Sequence, residues 1–306
     1  MTTVTFDSIS YLLPLSDTLS FNLVSYADTN PWLINFANFL ELEKIKENKQ
    51  NQADTIMAVP LSAGTLLIDQ LKREYFAEYA LNHWQNFDLK FAKIYIHPQT
   101  AGFIFALDPQ REYVSRITMM QLFLDLIFLK IYEKNVFSLH GGLVVLKQEG
   151  VLLLGPGGIG KSTCCERIPA PWKALSDDLT LAALSSENSY VAYPLPTWSR
   201  IIAGEDSVTC DFKEPFKIRG ICFLTQGKED SINSLHPSQA AVLIYKNAKS
   251  IYIPLIGRFP FFKQKTFTAK TLDYACALAK EVPCYKLEVS LEGKFWEKIE
   301  EVIDTD

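Results

Sequence analysis

The sequence predicts a protein of the α/β (α+β) class, with a small β-rich domain over residues 1–115 and a larger mixed-sheet domain over residues 116–306. Short apolar segments alternate with polar turns through the first region, which is typical of strands. In the second region a glycine-rich segment directly follows a continuous apolar run. That order is typical of a buried strand, a loop and a helix.

The composition favours a folded protein without a nucleic-acid partner. The chain has 306 residues, of which 48% are hydrophobic and 12% aromatic, so it can bury a substantial core and form two domains. Its formal net charge is −5, and it contains no tract rich in Lys and Arg. Nucleic-acid binding is therefore not expected, because the phosphate backbone is bound by basic surfaces.

No segment predicts export or membrane insertion. The N-terminal segment MTTVTFDSIS is polar, unlike a signal peptide. The apolar run at residues 117–132 contains Gln121, Asp125 and Lys130, which indicates a helix in a protein core rather than a membrane span. We therefore expect a cytoplasmic protein with no membrane contact.

The cysteines predict reduced thiols rather than disulfides. There are six, with no C-x-x-C pair, and their density is below that of small secreted domains. Cys164 and Cys165 are adjacent and follow the glycine-rich segment, so they are either a redox pair or small residues packed behind the loop. The packing interpretation is the one we favour.

The first domain carries no catalytic pattern and is interpreted as an accessory or substrate-recognition domain. A charged segment, residues 41–54, is expected to be a solvated helix or loop. The strands predicted for this domain include residues 4–6, 21–25, 55–59, 65–68, 91–96 and 102–107.

The second domain is predicted to begin with a buried helix over residues 113–135, because its apolar residues occupy more than one helical face. Two strands that look antiparallel, 136–146 and 151–154, then precede the glycine-rich segment. The helix after that segment is expected to be short, since Pro169 and Pro171 stop it. The remaining strands are predicted at 172–176, 179–183, 190–193, 221–224, 250–253 and 283–290, and the remaining helices at 236–247, 268–280 and 293–303.

The glycine-rich segment fits the pattern G-x-x-x-x-G-K-[ST], which is typical of a phosphate-binding loop. Glycines let backbone N–H groups approach phosphate oxygens closely. In this interpretation Lys161 contacts the outer phosphates and the hydroxyl of Ser162 binds Mg²⁺. The predicted nucleotide-binding residues are Gly155, Pro156, Gly157, Gly158, Ile159, Gly160, Lys161, Ser162 and Thr163.

A second group of polar residues is expected at the same edge of the sheet. Asp177 and Asp178 lie at the end of the predicted strand 172–176, 16 and 17 residues beyond Lys161. One carboxylate is suited to hold a metal and the other to act as a base, although an S-D-D sequence also caps ordinary turns. His140 precedes the loop and is either a core histidine or part of the site. Arg200 is a candidate for stabilising transition-state charge, or else a solvated surface residue.

An H-G pair at His140, the GKST loop and the S-D-D turn together resemble the HPr kinase/phosphorylase family and its smaller HPr-kinase-like relatives. Downstream, LPTWSR at 195–200, IRGICFL at 218–224 and VPCYKL at 282–287 make the chain most similar to the small HPr-kinase-like proteins encoded beside peptide-maturation enzymes, the SynChlorMet cassette type. The resemblance runs from Thr118 to the C-terminus. It implies a phosphoenolpyruvate-carboxykinase-like nucleotide fold, in which antiparallel strands precede the loop.

The resemblance also implies roles for individual residues. Lys161 and Ser162 would contact phosphate and Mg²⁺, and His140 would lie beside the transferred phosphate. Asp177 would be the base, with Asp178 near the metal. The glycine- and arginine-rich signature that bifunctional HPr kinase/phosphorylase uses for its protein substrate is not found, so phosphorylation of HPr and the reverse phosphorylase reaction are not expected.

The resulting expectation is an ATP- and Mg²⁺-dependent kinase that transfers the γ-phosphate to a Ser or Thr hydroxyl of a peptide or protein, such as a ribosomally made peptide precursor. Two alternatives stay open. One is a non-catalytic ATP-binding regulatory or scaffold subunit, and the other is a kinase for a small metabolite such as free serine. The resemblance also leaves a homo-oligomer open.

Overall fold

The computed structural model describes residues 8–16, 19–46, 54–79, 81–89, 91–110, 113–195, 214–259 and 264–303. The chain forms two compact units, Met1–Lys134 and Asn135–Asp306. Each unit contains one mixed β-sheet, and the described ranges together hold seven α-helices. The predicted α/β class is thus confirmed.

The first unit is built on a seven-stranded sheet in the order β3-β1-β2-β4-β7-β6-β5. Its three central strands run parallel, whereas the strands toward both edges pair antiparallel. The strands are β1 Ser8–Ser16, β2 Leu19–Tyr26, β3 Glu43–Ile45, β4 Asp54–Pro60, β5 Gln85–Leu89, β6 Ala92–Ile96 and β7 Phe103–Leu107, and the helices are α1 Asn30–Phe39, α2 Thr65–Tyr75 and α3 Tyr113–Ile131.

Helix α3 belongs to the first unit, whereas the sequence prediction divides the chain at residue 115 and assigns this helix to the second domain. The physical reason is aromatic packing. The ring of Phe123 in α3 lies 5.3 Å from that of Trp32 and 5.1 Å from that of Phe36, both in α1. It also packs against Phe103 and Phe105 of β7.

The predicted strand at residues 65–68 is wrong, because this segment begins helix α2. Ile68 and Leu71 are buried at helical spacing, while Leu66 is 89% exposed. A four-residue apolar run is too short for its periodicity to distinguish a strand from a helix. The strand predicted at residues 4–6 lies outside the described residues.

The second unit is built on an eight-stranded sheet in which β10-β8-β11-β12-β13-β15-β14 are consecutive neighbours and β9 pairs with both β8 and β13. The β8–β9 pair is antiparallel, as predicted, and β9–β13 and β13–β15 are parallel. The strands are β8 Val136–Leu146, β9 Glu149–Leu154, β10 Lys173–Ser176, β11 Leu179–Leu184, β12 Tyr190–Pro194, β13 Phe216–Gln226, β14 Ser231–Ser234 and β15 Cys284–Val289. The helices are α4 Lys161–Arg167, α5 Pro237–Arg258, α6 Gln264–Glu281 and α7 Phe295–Glu300.

Helices cover both faces of this sheet. Cys164 of α4 and Phe295 of α7 share a buried cluster with Val144 of β8. On the opposite face, Phe137 of β8 stacks on Tyr274 of α6 at 3.6 Å between ring centroids. Residues 137 and 144 are separated by an odd number of positions along one strand, so their side chains point to opposite faces.

The strand predicted at residues 250–253 is also wrong, because these residues lie inside the 22-residue helix α5. Pro254 is in the helix interior, a position at which proline usually interrupts helices. Tertiary contact outweighs that preference. Tyr252 of α5 is fully buried, and its Oη accepts a hydrogen bond from the backbone N–H of Ser138 at 2.8 Å.

Among the described residues, no helix combines the length and hydrophobicity needed to cross a membrane.

Substituting Phe123 with Ala is expected to lower the free energy of unfolding by about 3–5 kcal/mol, since it removes a fully buried ring from the aromatic cluster of the first unit. Leu66→Ala is the matched control, and its exposed side chain predicts a change within about 0.5 kcal/mol. Urea unfolding followed by circular dichroism measures both. Equal midpoints for the two variants would contradict the packing of α3.

Candidate functional site

The glycine-rich loop leaves the end of β9 and enters helix α4 at Lys161. Within it, Gly158 has a φ of 75° and Gly160 a φ of 110°. Both values lie in the left-handed region, which a residue with a Cβ enters only with strain. Residues 156–158 are exposed to solvent. The loop therefore combines two left-handed glycines with a solvent-exposed segment at residues 156–158.

Lys161 is the buried cation of this loop, with only 6% of its surface exposed. Its Nζ donates hydrogen bonds to the carbonyl oxygens of Gly155 at 3.0 Å and Pro156 at 3.1 Å. Burial lowers the pKa of Lys161, and the negative charges of Asp178 and Asp177 act in the opposite direction. The ammonium group is thus held at the loop and lies within electrostatic reach of both carboxylates.

His140 and Asp178 form a pair beside the loop. The His140 Nε2 atom lies 3.3 Å from the Asp178 Oδ1 atom. Asp178 directly precedes β11, and His140 pairs with the next residue, Leu179, across the β8–β11 ladder. The two side chains are 27% and 40% exposed, so a ligand has access to both.

A chain of hydrogen bonds fixes the backbone on both sides of the acidic pair. The N–H of Leu143 donates to Ser176 Oγ at 3.2 Å, and Thr180 Oγ1 donates to the carbonyl of Gly141 at 3.0 Å. The two hydroxyl oxygens lie 2.8 Å apart, and since the Thr180 hydroxyl donates to the carbonyl, Ser176 donates to Thr180. The β8–β10 register also shifts between Ala174 and Ser176, and such irregularities re-aim side chains.

Helix α4 packs closely behind these strands. A Cβ on Gly142 would lie 2.7 Å from Cys165 Sγ and 3.0 Å from the carbonyl oxygen of Ser176. Only glycine allows this approach, because neither backbone nor a buried sulfur can move aside cheaply. The thiol of Cys165 donates to that same Ser176 carbonyl at 3.5 Å.

Asn247 of α5 is a site residue that the sequence analysis missed. Its Oδ1 accepts from the backbone N–H of His140 at 2.8 Å, and its Nδ2 donates to the His140 carbonyl at 2.8 Å. The last β8–β9 pair is Gly141 with Leu154, so strand β9 ends just before it would reach His140. The amide of Asn247 takes the place of the missing strand residue. The available signal was a polar residue three positions after the buried Ile244 of a predicted helix.

The structure thus brings together the loop, Lys161, His140, Asp177 and Asp178. Ser162 and Thr163 are exposed in the first turn of α4. Arg200 lies outside the described residues. Within the described ranges, no group of three or more His, Cys, Asp or Glu side chains is placed to hold a metal ion. Magnesium in nucleotide sites takes most of its ligands from phosphates and water, so such a group is not required.

The described cysteines are free thiols, in agreement with the expectation of reduced cysteines. Cys164 and Cys165 are buried, and burial raises the pKa of Cys164 to about 11. A thiol with a raised pKa is a poor nucleophile at neutral pH. The packing interpretation of this pair is therefore better supported than the redox interpretation. Cys210 lies outside the described residues.

Alkylation by iodoacetamide at pH 8 is expected to modify Cys276 at least tenfold faster than Cys164, because Cys276 is exposed and the Cys164 thiol is buried and protonated. Peptide mapping by mass spectrometry at timed intervals measures each site separately. Unfolding in urea should make the two rates similar. Fast modification of Cys164 in the folded protein would favour the redox interpretation.

Asn247→Ala is expected to lower the free energy of unfolding by about 1–3 kcal/mol, because it leaves two backbone groups of His140 without their partner. Val242→Ala, at an exposed position of the same helix, is the control for helix effects and should change stability by less than about 0.5 kcal/mol. Thermal unfolding of both variants tests this. Equal melting temperatures for the two variants would refute the stabilising role of the Asn247 hydrogen bonds.

The comparison with known protein families gives one match. The family model described as SynChlorMet cassette protein ScmC matches residues 103–304, from strand β7 through helix α3 and nearly all of the second unit. No curated protein sequence matches the chain. The matched region covers well over half of the 306 residues and includes the whole candidate site. The chain therefore belongs to the SynChlorMet cassette protein ScmC family.

Proposed function

We propose that this protein is an ATP- and Mg²⁺-dependent kinase that transfers the γ-phosphate to a Ser or Thr hydroxyl of a peptide or protein. The observation that carries the proposal is the meeting of Lys161, His140 and the acidic pair at the end of strand β9. A buried ammonium group, an accessible glycine-rich loop and two carboxylates are the parts that phosphoryl transfer requires.

The loop supplies phosphate binding in this proposal. Its exposed residues 156–158 and its left-handed glycines suit the approach of phosphate oxygens. Lys161 is held at the same place by two carbonyl groups, and a phosphate oxygen is a stronger partner for an ammonium group than a carbonyl. Lys161 would then neutralise charge that develops on the transferred group.

The two carboxylates of the acidic pair have different roles in this proposal, one in metal binding and the other in proton transfer. Asp178, oriented by His140 Nε2, is assigned to Mg²⁺ together with the exposed hydroxyl of Ser162. Asp177 is assigned as the base. It accepts the proton of the acceptor hydroxyl while the new oxygen–phosphorus bond forms and the bond to the β,γ-bridging oxygen breaks. ADP and the phosphorylated acceptor are the products.

The fold and the acceptor class rest on the resemblance to HPr-kinase-like proteins. The antiparallel β8–β9 pair before the loop supports a phosphoenolpyruvate-carboxykinase-like arrangement for the second unit. Membership of a family named for a gene cassette supports an acceptor made or modified by the same cassette, and a ribosomally made peptide fits that description.

Phosphate transfer from γ-labelled ATP to Ser- or Thr-containing peptides, in the presence of Mg²⁺, tests the proposal. Lys161→Ala and Asp177→Asn are each expected to lower the transfer rate at least 100-fold, because one removes transition-state charge stabilisation and the other the base. Asp273→Asn, at an exposed carboxylate of α6, is the matched control and should leave the rate unchanged.

Three results would change the assignment. Full activity of Asp177→Asn alongside an inactive Lys161→Ala removes Asp177 as the base. Tight ATP binding without transfer to any acceptor favours a regulatory or scaffold subunit. Transfer to free serine but to no peptide favours a small-metabolite kinase.

A further inference from the structure

The second unit contains a cavity of about 570 Å³ beside the glycine-rich loop. Its walls come from the loop, strand β13 and helix α5, with Lys286 of β15 at one side. The walls are mainly apolar, and the apolar residues that form them are Pro156, Ile159, Phe223, Leu224, Leu235 and Leu243. Of the residues predicted to bind nucleotide or transfer phosphate, Gly155, Pro156 and Ile159 line this space.

The position of the cavity relative to β9 is informative. Strand β9 has β8 on one edge and β13 on the other. His140 and the acidic pair belong to the β8 edge, where β11 pairs with β8. The cavity lies at the β13 edge, next to Phe223 and Thr225. Because the loop forms part of the cavity wall, a ligand bound along the loop can extend into the cavity.

We propose, on the basis of the kinase function above, that this cavity holds the base and ribose of the nucleoside triphosphate. Its volume is within the range of about 300–1,000 Å³ that is typical of small-molecule sites. Its apolar walls suit the flat faces of an aromatic base. Its direct continuity with Gly155 and Pro156 lets one molecule occupy the cavity and the loop together.

A buried hydroxyl in the lining supports a polar aromatic occupant. The Oγ1 atom of Thr225 is buried and has no hydrogen-bond partner within the part of the chain that the structure describes. A buried polar atom without a partner is unfavourable, so such atoms in functional sites commonly meet a ligand. The ring nitrogens and exocyclic groups of a nucleobase provide that partner, whereas an apolar side chain does not.

Asn247 connects the cavity to the reacting centre. It lines the cavity and also holds both backbone groups of His140. A base in the cavity would therefore contact the residue that fixes His140. Lys246 and Lys286 are exposed cations in the same lining, where they add positive potential beside a polyanionic ligand.

Calorimetric binding of ATP and of inorganic tripolyphosphate, each with Mg²⁺, to the full chain tests the proposal. Tripolyphosphate lacks the base and ribose, so the parent is expected to bind ATP at least tenfold more tightly. Leu243→Trp fills the cavity, so it should lower the affinity for ATP at least tenfold while changing the affinity for tripolyphosphate less than twofold. Val242→Trp is the control, because Val242 is exposed and adjacent to Leu243, and it should change neither the ATP affinity nor the tripolyphosphate affinity.

Thr225→Val is a second and gentler variant. It keeps the side-chain shape and removes the unpartnered hydroxyl, so ATP affinity should fall about two- to tenfold. Its melting temperature without nucleotide should not fall, because no internal hydrogen bond is lost. If Leu243→Trp does not fold, unchanged ATP affinity in Thr225→Val overturns the proposal.

The outcomes separate this proposal from the kinase function. Equal affinities for ATP and tripolyphosphate, or equal loss of both in Leu243→Trp, overturn the cavity assignment and leave the loop assignment intact. If the variants lose affinity for ATP alone, as expected, but the parent transfers no phosphate, the cavity assignment is supported and the proposed kinase function is overturned. Failure of the parent to bind either ligand overturns both.

Discussion

The second unit depends on strand β9 being paired along both edges. Its residues from Val151 to Leu154 are fully buried, with β8 on one side and the parallel strand β13 on the other. Both edges of β9 are occupied by neighbouring strands, so the chain leaves the sheet at the end of β9. It must turn sharply there to pack back against the sheet. The left-handed conformations of Gly158 and Gly160 make that turn, and Lys161 begins the helix that returns along the sheet.

The end of β9 also leaves unpaired groups on β8, because β8 continues past it. Buried backbone groups need partners, and here side chains supply them. Asn247 satisfies His140 beyond the end of β9. On the opposite edge of β8, Thr180 of β11 satisfies the carbonyl of Gly141. These hydrogen bonds hold the strand segment that carries His140 and the turn that carries the acidic pair. The candidate site is thus located where the pairing of β8 with β9 ends. Its geometry depends on the side chains that hydrogen-bond to the backbone groups of β8 at that point.

Local patterns in the sequence predicted the parts of the site that depend on neighbouring residues. The loop, the strand before it and the acidic pair could be recognised because glycine spacing and apolar runs are local signals. Asn247 could not be assigned to the site, because it lies 107 positions from His140 and its place as a polar residue in a predicted helix does not reveal that contact. The sequence predicts only residues 236–247 of helix α5, followed by a strand at 250–253, and it predicts a strand at 65–68, where α2 begins. A short apolar run does not distinguish a strand from a helix, and burial against distant elements decides between them. Nothing local indicated that α3 packs with the first unit.

Lys161 links the stability of the second unit to what the loop binds. Desolvation lowers its pKa below that of the unfolded chain, so the folded state holds this proton less tightly. The charged ammonium is therefore unfavourable to folding below the lowered pKa, and that penalty is relieved as pH rises toward the unfolded value. A bound anion reverses the effect, since it favours the charged form that burial disfavours. The carboxylates of Asp178 and Asp177 already act in that direction, but burial is the larger cause. The buried ammonium group of Lys161 therefore lowers the stability of the folded second unit when no anion is bound, and raises it when an anion binds the loop. Folding and anion binding thus both depend on this residue.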